Sequence, residues 1–451
     1  MLKPAILISL CLLFVVCSPW LVGEAFPITF STNEDYDIVM YGTPEGLKEV
    51  EEDFKLVKEL GLSRLRVSFS WINYQPEPGQ FSNLDWLHQF VDLAQEYNIT
   101  LMPYLCYTPY WAAKTGQWND PPKNYDDWYN YVYKMASEFR DEIYYWEIWN
   151  EEDSKQWFSG TKEEFAKLVN VGSEAIRKAN PEAKVILGGL TWGEQKDDFV
   201  EYIIENCPGA IDIVAVHCYA ESWNPSYLED SWRPGWSEFD SIARILENKA
   251  EGQPIWVNEI GYPTVNGRTE QDQASYIRRA VSTILASEKV SLISWYEIKD
   301  LEQDNPIGVI GDYFNYHLGL TDSKRNKKLG FYTYQNIIAL LNEKELDYLE
   351  TVSYQAREED QNSYSSLRIY VHPFQRVDDK HIILFAWLYG PAEEVFIDIE
   401  LPGIINSISE YSFKGEESSY NNFNQSQMKN VQLVRDKPRL FEIILNDNYT
   451  E

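Results

Sequence analysis

Histidine and cysteine are scarce, five of each, and none falls in an HExxH or CxxC spacing. A metal centre built on those ligands is therefore not expected, and no cofactor is implied. Also missing are GxGxxG, GxxxxGK[ST] and GxSxG, which removes nucleotide-phosphate loops and the usual serine-hydrolase elbow. A third shortage is positive charge: 39 Lys and Arg stand against 71 Asp and Glu, a formal charge of −32. Such a chain repels phosphate backbones and anionic bilayers, so nucleic acid is excluded as a partner and strongly acidic polysaccharides are disfavoured. Beyond the first 25 residues no stretch approaches the ~20 apolar residues that span a bilayer.

Those first residues hold Lys3, an apolar run from Ala5 to Cys17, and then Gly23-Glu24-Ala25. This is the layout of a secretory signal peptide over 1–25. A secreted product, extracellular or periplasmic, with no integral membrane span in its mature form is expected. A lipid anchor at Cys17 is the lesser alternative, because Val16 stands where a small residue is wanted. Cleavage leaves Cys106, Cys207 and Cys218, too few for a disulfide framework and enough for one bridge at most.

What the chain does have is aromatic surface: 16 Trp, 31 Tyr and 20 Phe. Flat rings with polar tips suit the faces of sugars, and a large core uses them equally well. From about 38 to 341 short β-rich runs alternate with helical patterns. Strands are expected at 38–42, 64–70, 100–105, 143–149, 184–188, 211–217, 254–258 and 292–296, with the helix after the first closed by Gly61. Their ends are separated by roughly 30 to 45 residues, the length of a strand–helix–strand unit. Eight such units predict an α/β fold, a (β/α)8 TIM barrel over 26–345. After the helix near Leu329–Leu341 the texture changes to short β runs divided by polar turns, which predicts an appended C-terminal β-sandwich over 346–451.

In such a barrel the chemistry sits at the C-terminal strand ends. Two strands finish alike there: Trp146-Glu-Ile-Trp-Asn-Glu151 and Ile255-Trp-Val-Asn-Glu259. They are the fourth and seventh, on facing sides of the barrel, so Glu151 and Glu259 can converge on one ligand. Two carboxylates about 5–5.5 Å apart are what a retaining glycosidase needs, one to attack the anomeric carbon and one to protonate the leaving oxygen. An acid that opens a helix is often only a cap; two at this register are more than that. Glu147 and Glu152 are weaker competitors, and Glu152 is read as solvent-facing or as a cap. Trp71, Trp111, Trp118, Trp192, Trp223 and Trp236 lie in or near strand-to-helix loops, where they either stack on sugars or pack. The loops at 106–124 and 219–237 carry most of them.

These segments, with Glu-Ile-Trp-Asn-Glu151, Trp-Val-Asn-Glu-Ile-Gly-Tyr262, His217-Cys-Tyr219, Arg66, Leu318-Gly-Leu-Thr-Asp322 and Phe331-Tyr-Thr-Tyr-Gln335, resemble the clan A retaining glycoside hydrolases, most of all the β-xylosidase and iduronidase family, family 39. The resemblance implies Glu151 as general acid/base and Glu259 as nucleophile. It implies Asn150 on a sugar hydroxyl, His217 and Tyr219 beside the nucleophile, Arg66 donating to Glu259, and Trp295 as the floor of the sugar subsite. Where that family often has Pro, this chain has Glu152-Asp153, which would favour a basic or amino-substituted sugar in the leaving-group subsite. The function expected is hydrolysis of β-glycosidic bonds in an oligo- or polysaccharide by double displacement. The alternatives are a carbohydrate-binding barrel without turnover and a transglycosylase using the same intermediate.

Overall fold

The computed structural model describes residues 27–446 apart from 192–195, 236, 250–251, 303–311 and 358–366. The signal segment, Trp192 and Trp236 lie outside the described residues. Eight parallel strands close a barrel in chain order: β1 Thr29–Asn33, β2 Arg64–Ser70, β3 Thr100–Cys106, β4 Tyr145–Ile148, β5 Lys184–Leu190, β6 Ile213–Cys218, β7 Ile255–Ile260 and β8 Val290–Trp295. Closure is made by β1 against β8, where Thr32 pairs with Trp295. Capping sequences start the outer helices; Thr161 and Glu164 form a reciprocal capping box at the helix Lys162–Ala179. Gly61, at φ +85°, ends the helix Pro44–Glu59 in the left-handed conformation that glycine adopts freely.

Seven strands fall within a few residues of expectation, and the first does not. Ile38–Tyr41 is a helix, with Asp37 accepting from the Val39 N–H as its N-cap, and Val39 is 80% exposed. The true β1, Thr-Phe-Ser-Thr-Asn, has little apolar signature because its inward side chains are polar. Asn33 Nδ2 donates to Ser294 Oγ on the adjacent β8 at 2.9 Å and to the Asn258 carbonyl on β7 at 3.0 Å.

Ten further strands follow: β9 Leu346–Tyr348, β10 Ser353–Ala356, β11 Arg368–Arg376, β12 Ile382–Tyr389, β13 Glu394–Glu400, β14 Ile405–Tyr411, β15 Glu417–Ser419, β16 Phe423–Asn424, β17 Gln427–Val434 and β18 Arg439–Leu445. They form two antiparallel sheets, in the orders β10-β13-β17-β16 and β15-β14-β18-β12-β11-β9. The continuous apolar run of β12 has a physical reason: Ile382, Leu384, Ala386 and Leu388 fill the sandwich core, while Ile383, Phe385 and Trp387 join the barrel's hydrophobic core. With both faces buried, no polar alternation is needed. From the barrel side, Arg278 on the helix Glu270–Leu285 donates to the backbone carbonyls of Pro438, Tyr411 and Ser412 at 2.7–2.8 Å. Cys106, Cys207 and Cys218 are free thiols, all buried. No helix among the described residues is long and apolar enough to cross a membrane.

Candidate active site

Arg66 organises the C-terminal mouth of the barrel. From β2 its buried guanidinium donates Nε and Nη2 to the two oxygens of Glu147 at 2.8 and 2.7 Å, and Nη2 also to Asn150 Oδ1 at 2.8 Å. Its Nη1 reaches Glu259 Oε1 at 2.5 Å, and the ring of Tyr104 lies against it, 4.3 Å from ring centroid to guanidinium carbon. Glu147 is therefore a clamp: fully buried, it balances the arginine charge and aims the remaining nitrogen at Glu259.

Glu259, within β7, also accepts at Oε2 from the Tyr219 hydroxyl at 2.7 Å. His217 stands between the two glutamates, its Nδ1 2.8 Å from Glu151 Oε1 and 3.3 Å from Glu259 Oε2. One oxygen of each glutamate and this nitrogen lie within 4.8 Å of one another. Burial pushes His217 down to about 4, so the imidazole is neutral at pH 7. Its ring fills the space a side chain at position 189 would take: a Cβ on Gly189 would sit 1.8 Å from Nε2.

Glu151 follows β4 at φ +53°, its N–H bonded to the Gly189 carbonyl at 3.1 Å. Burial and the neighbouring charge of Asp153 push its carboxyl up to about 8, against the pull of Arg66 and Trp157. Burial, with the charge of Glu151 adding to it, raises Glu259 as well, but there Arg66 and the Tyr219 hydroxyl pull against the rise. Two glutamates that share a preceding asparagine thus meet different environments: Glu151 is raised by burial and a second acid, whereas Glu259 has an arginine and a phenol bonded to its oxygens.

Both carboxylates open into a cleft of about 580 Å³, lined also by Asp35, Asn150, His217 and Tyr219 and by Tyr107, Trp118, Trp157, Trp223, Trp232 and Tyr296. Arg66, Asn150, His217 and Tyr219 thus gather at the two glutamates as expected. Two other candidates do not. Trp295 is buried in the barrel wall, with its indole N–H on the Leu318 carbonyl at 3.1 Å and its ring near Tyr276 and Tyr334; the neighbouring Tyr296 faces the cleft instead. Trp111 donates to the Gln75 carbonyl and packs edge-on against Trp71, itself fully buried, so neither lines the cleft. Glu152 is not solvent-facing: it is 3% exposed, and neither of its oxygens has a hydrogen-bond partner among the described residues. Asp153 accepts from the Thr191 N–H and hydroxyl. Neither acid is part of the cleft lining, so the pair gives no basis for a basic sugar.

Sequence reasoning missed Trp157, Trp232 and Tyr296. Trp232 lies in the aromatic loop 219–237 already singled out, and Trp157 sits six residues after Glu151, a spacing that could have flagged it. Gly189 gave no signal, since nothing local shows that a histidine from the next strand needs its empty side.

The family model for cellulases, glycosyl hydrolase family 5, matches residues 25–298, more than half of the chain. Among solved structures, a family 39 glycoside hydrolase from Bacteroides cellulosilyticus superposes with a TM-score of 0.69 at 16% identity, over 93% of this chain and 81% of that one. A family 39 β-xylosidase from Caulobacter crescentus gives 0.59 at 13%, over 93% and 96%. A family 30 endoxylanase from Clostridium papyrosolvens gives 0.58 at 14%, over 93% and 96%. No curated protein matches the chain by sequence.

Proposed function

Because the chain belongs to the cellulase family, glycosyl hydrolase family 5, and is an O-glycosyl hydrolase acting on carbohydrate, we propose that it is a retaining β-glycosidase with Glu259 as nucleophile and Glu151 as general acid/base. The observation that carries this reading is the separation of the carboxylates, with facing oxygens within 4.8 Å. That is well short of the roughly 6.5–9.5 Å by which an inverting pair is spread to seat a water beside the sugar, and it suits direct attack on the anomeric carbon. Glu151 protonates the departing glycosidic oxygen while Glu259 attacks the anomeric carbon from the opposite face, giving a glycosyl ester. Glu151, now ionised, takes a proton from water, and the resulting hydroxide-like oxygen displaces Glu259 with net retention. Arg66 and Tyr219 stabilise the carboxylate that leaves. Asn150, fixed through its Oδ1 by Arg66, is placed to donate to the sugar's neighbouring hydroxyl.

The cleft wall argues for uncharged sugars. Asp35, Asp37, Glu238 and Asp312 join the two glutamates in it, and no Lys or Arg appears among its described lining residues. A uronate or sulfate group would meet repulsion without a counter-charge. A binding protein without turnover has no use for a proton-carrying Glu151 beside an arginine-held Glu259. Export rests on the Lys3 to Ala25 signal pattern, and amino-terminal sequencing of the secreted product tests it: a start near residue 26 supports cleavage.

The roles separate by azide rescue. Glu259→Gly with azide is expected to give the α-glycosyl azide from an activated β-glycoside, and Glu151→Ala the β-glycosyl azide. Turnover retained in either variant without azide, or the opposite products, overturns the assignment.

A further inference from the structure

One wall of the cleft is held from outside the barrel. The segment after β6 contributes Trp223, Asn224, Ser231 and Trp232 to the lining, and two glutamates of the same segment turn the other way. Glu221 and Glu229 both grip Arg279, on the helix Glu270–Leu285: Arg279 donates to Glu221 through Nη2 at 2.7 Å and Nη1 at 3.1 Å, and to Glu229 through Nε at 2.7 Å and Nη2 at 2.8 Å. Glu221 also accepts from the Leu228 N–H, closing the segment on itself. The buried end of this array is finished by the sandwich: Trp387, on β12, donates its indole N–H to Glu229 Oε1 at 2.9 Å.

Trp387 is itself fixed. Its ring stacks on Tyr370 at 5.0 Å and meets His372 at 4.9 Å, and His372 Nδ1 bonds the Ser282 carbonyl of the same barrel helix at 3.0 Å. Outside, Arg368 reaches Asp230 at 2.5 Å and Tyr389 packs edge-on to Tyr227. Those outer contacts are exposed and contribute little. The Trp387–Glu229 bond is different, since donor and acceptor are both almost wholly buried and the acceptor is charged, so its loss leaves a carboxylate lone pair unsatisfied in a dry place.

We propose that the sandwich sets substrate specificity by fixing this wall, with Trp387 as a positioning residue acting through Glu229 on Trp223 and Trp232. Glu151 follows β4 and Glu259 lies in β7, and among the described residues neither bonds to Trp387, Glu229 or Arg279. Only sugars that extend from the bond being cut onto the β6 wall sense the device.

Trp387→Phe in the full chain keeps an aromatic ring, removes the donor and gives up part of the buried indole volume. Relative to the parent, KM for a long neutral oligosaccharide is expected to rise roughly tenfold, about one hydrogen bond to a charged group, while kcat/KM for an aryl β-glycoside stays within about twofold. Equal loss on both substrates, or no change on either, overturns the proposal. The kinetic arm rests on the glycosidase reading, so a second measurement stands apart from activity. Hydrogen–deuterium exchange is expected to quicken over 223–232 and stay unchanged in β4, in β7 and at Tyr219. Uniform quickening marks general destabilisation and refutes the positioning role, as does unaltered exchange. A parent protein inactive on every glycoside, with the local exchange response present, would sink the glycosidase and leave the wall.

Discussion

At the end of β7, Glu259 accepts from a guanidinium and a phenol; at the end of β4, Glu151 has a neutral imidazole for a neighbour and an aspartate two residues away. Their asparagines differ as well. Asn150 lies at the cleft, held by Arg66, whereas Asn258 turns into the barrel and donates to Glu147 at 3.0 Å. The same dipeptide at two strand ends therefore meets two environments. What divides them is the strand position: Glu259 is still inside β7, within reach of β2 and β6, while Glu151 lies past the end of β4 in a left-handed turn against β5.

The sharpest way to break that contrast is to move the imidazole standing between the two sites. Gly189→Ala drives a methyl into His217 and displaces it from both glutamates. A misplacement near 1 Å costs roughly 10²-fold in rate, so kcat on an aryl glycoside is expected to fall about that far, together with a lower melting temperature from crowding a buried ring. An unaltered kcat would mean that His217 does not align the pair.

A smaller change erases the electrostatic half of the contrast. With Glu151 as the proposed acid, activity needs it protonated, so the alkaline limb of the rate profile should lie near its carboxyl's value of about 8. Asp153→Asn removes a charge that favours the protonated form, so the limb should move to lower pH while the acid limb, set by Glu259, stays. Movement of both limbs together, or an upward shift, would contradict the assignment.

The smallest effect belongs to Glu152. Burial, then Asp153, hold its carboxyl well above the ordinary carboxylate range. The folded chain therefore keeps a proton that the unfolded chain releases near its usual value. The stability associated with that proton is complete below the unfolded value and is lost as pH rises through the folded one. Glu152→Gln carries no such proton, so its melting temperature should decline less than the parent's between pH 5 and pH 9. Parallel curves would show that Glu152 is satisfied or ionised in the fold.

The barrel and the pair of glutamates were legible because each leaves a strong local mark: units of regular length, and an apolar strand that stops at Asn-Glu. β1 was not, since hydrophobicity marks burial against apolar neighbours and this strand lies against the polar interior of the mouth, while the apolar Val39 and Met40 sit on the surface. Aromatic identity likewise says nothing of direction. Trp295 and Tyr296 are adjacent on one chain, and only the tyrosine faces the cleft. Glu152 was misjudged because its charge suggests water, whereas its backbone position next to Gly188 folds it inward, where a Cβ at 188 would meet its oxygen at 2.5 Å.

Arg278 and Arg279 are neighbours on one helix, yet they serve different clients: three backbone carbonyls of the sandwich for the first, two carboxylates of the cleft wall for the second. For anyone engineering this enzyme the sandwich is consequently no detachable cassette. Trimming it would strip Arg278 of its acceptors and expose the odd-numbered face of β12's partners in the barrel core. Grafting a foreign module in its place would succeed only with one that brings matching carbonyls and an indole of its own.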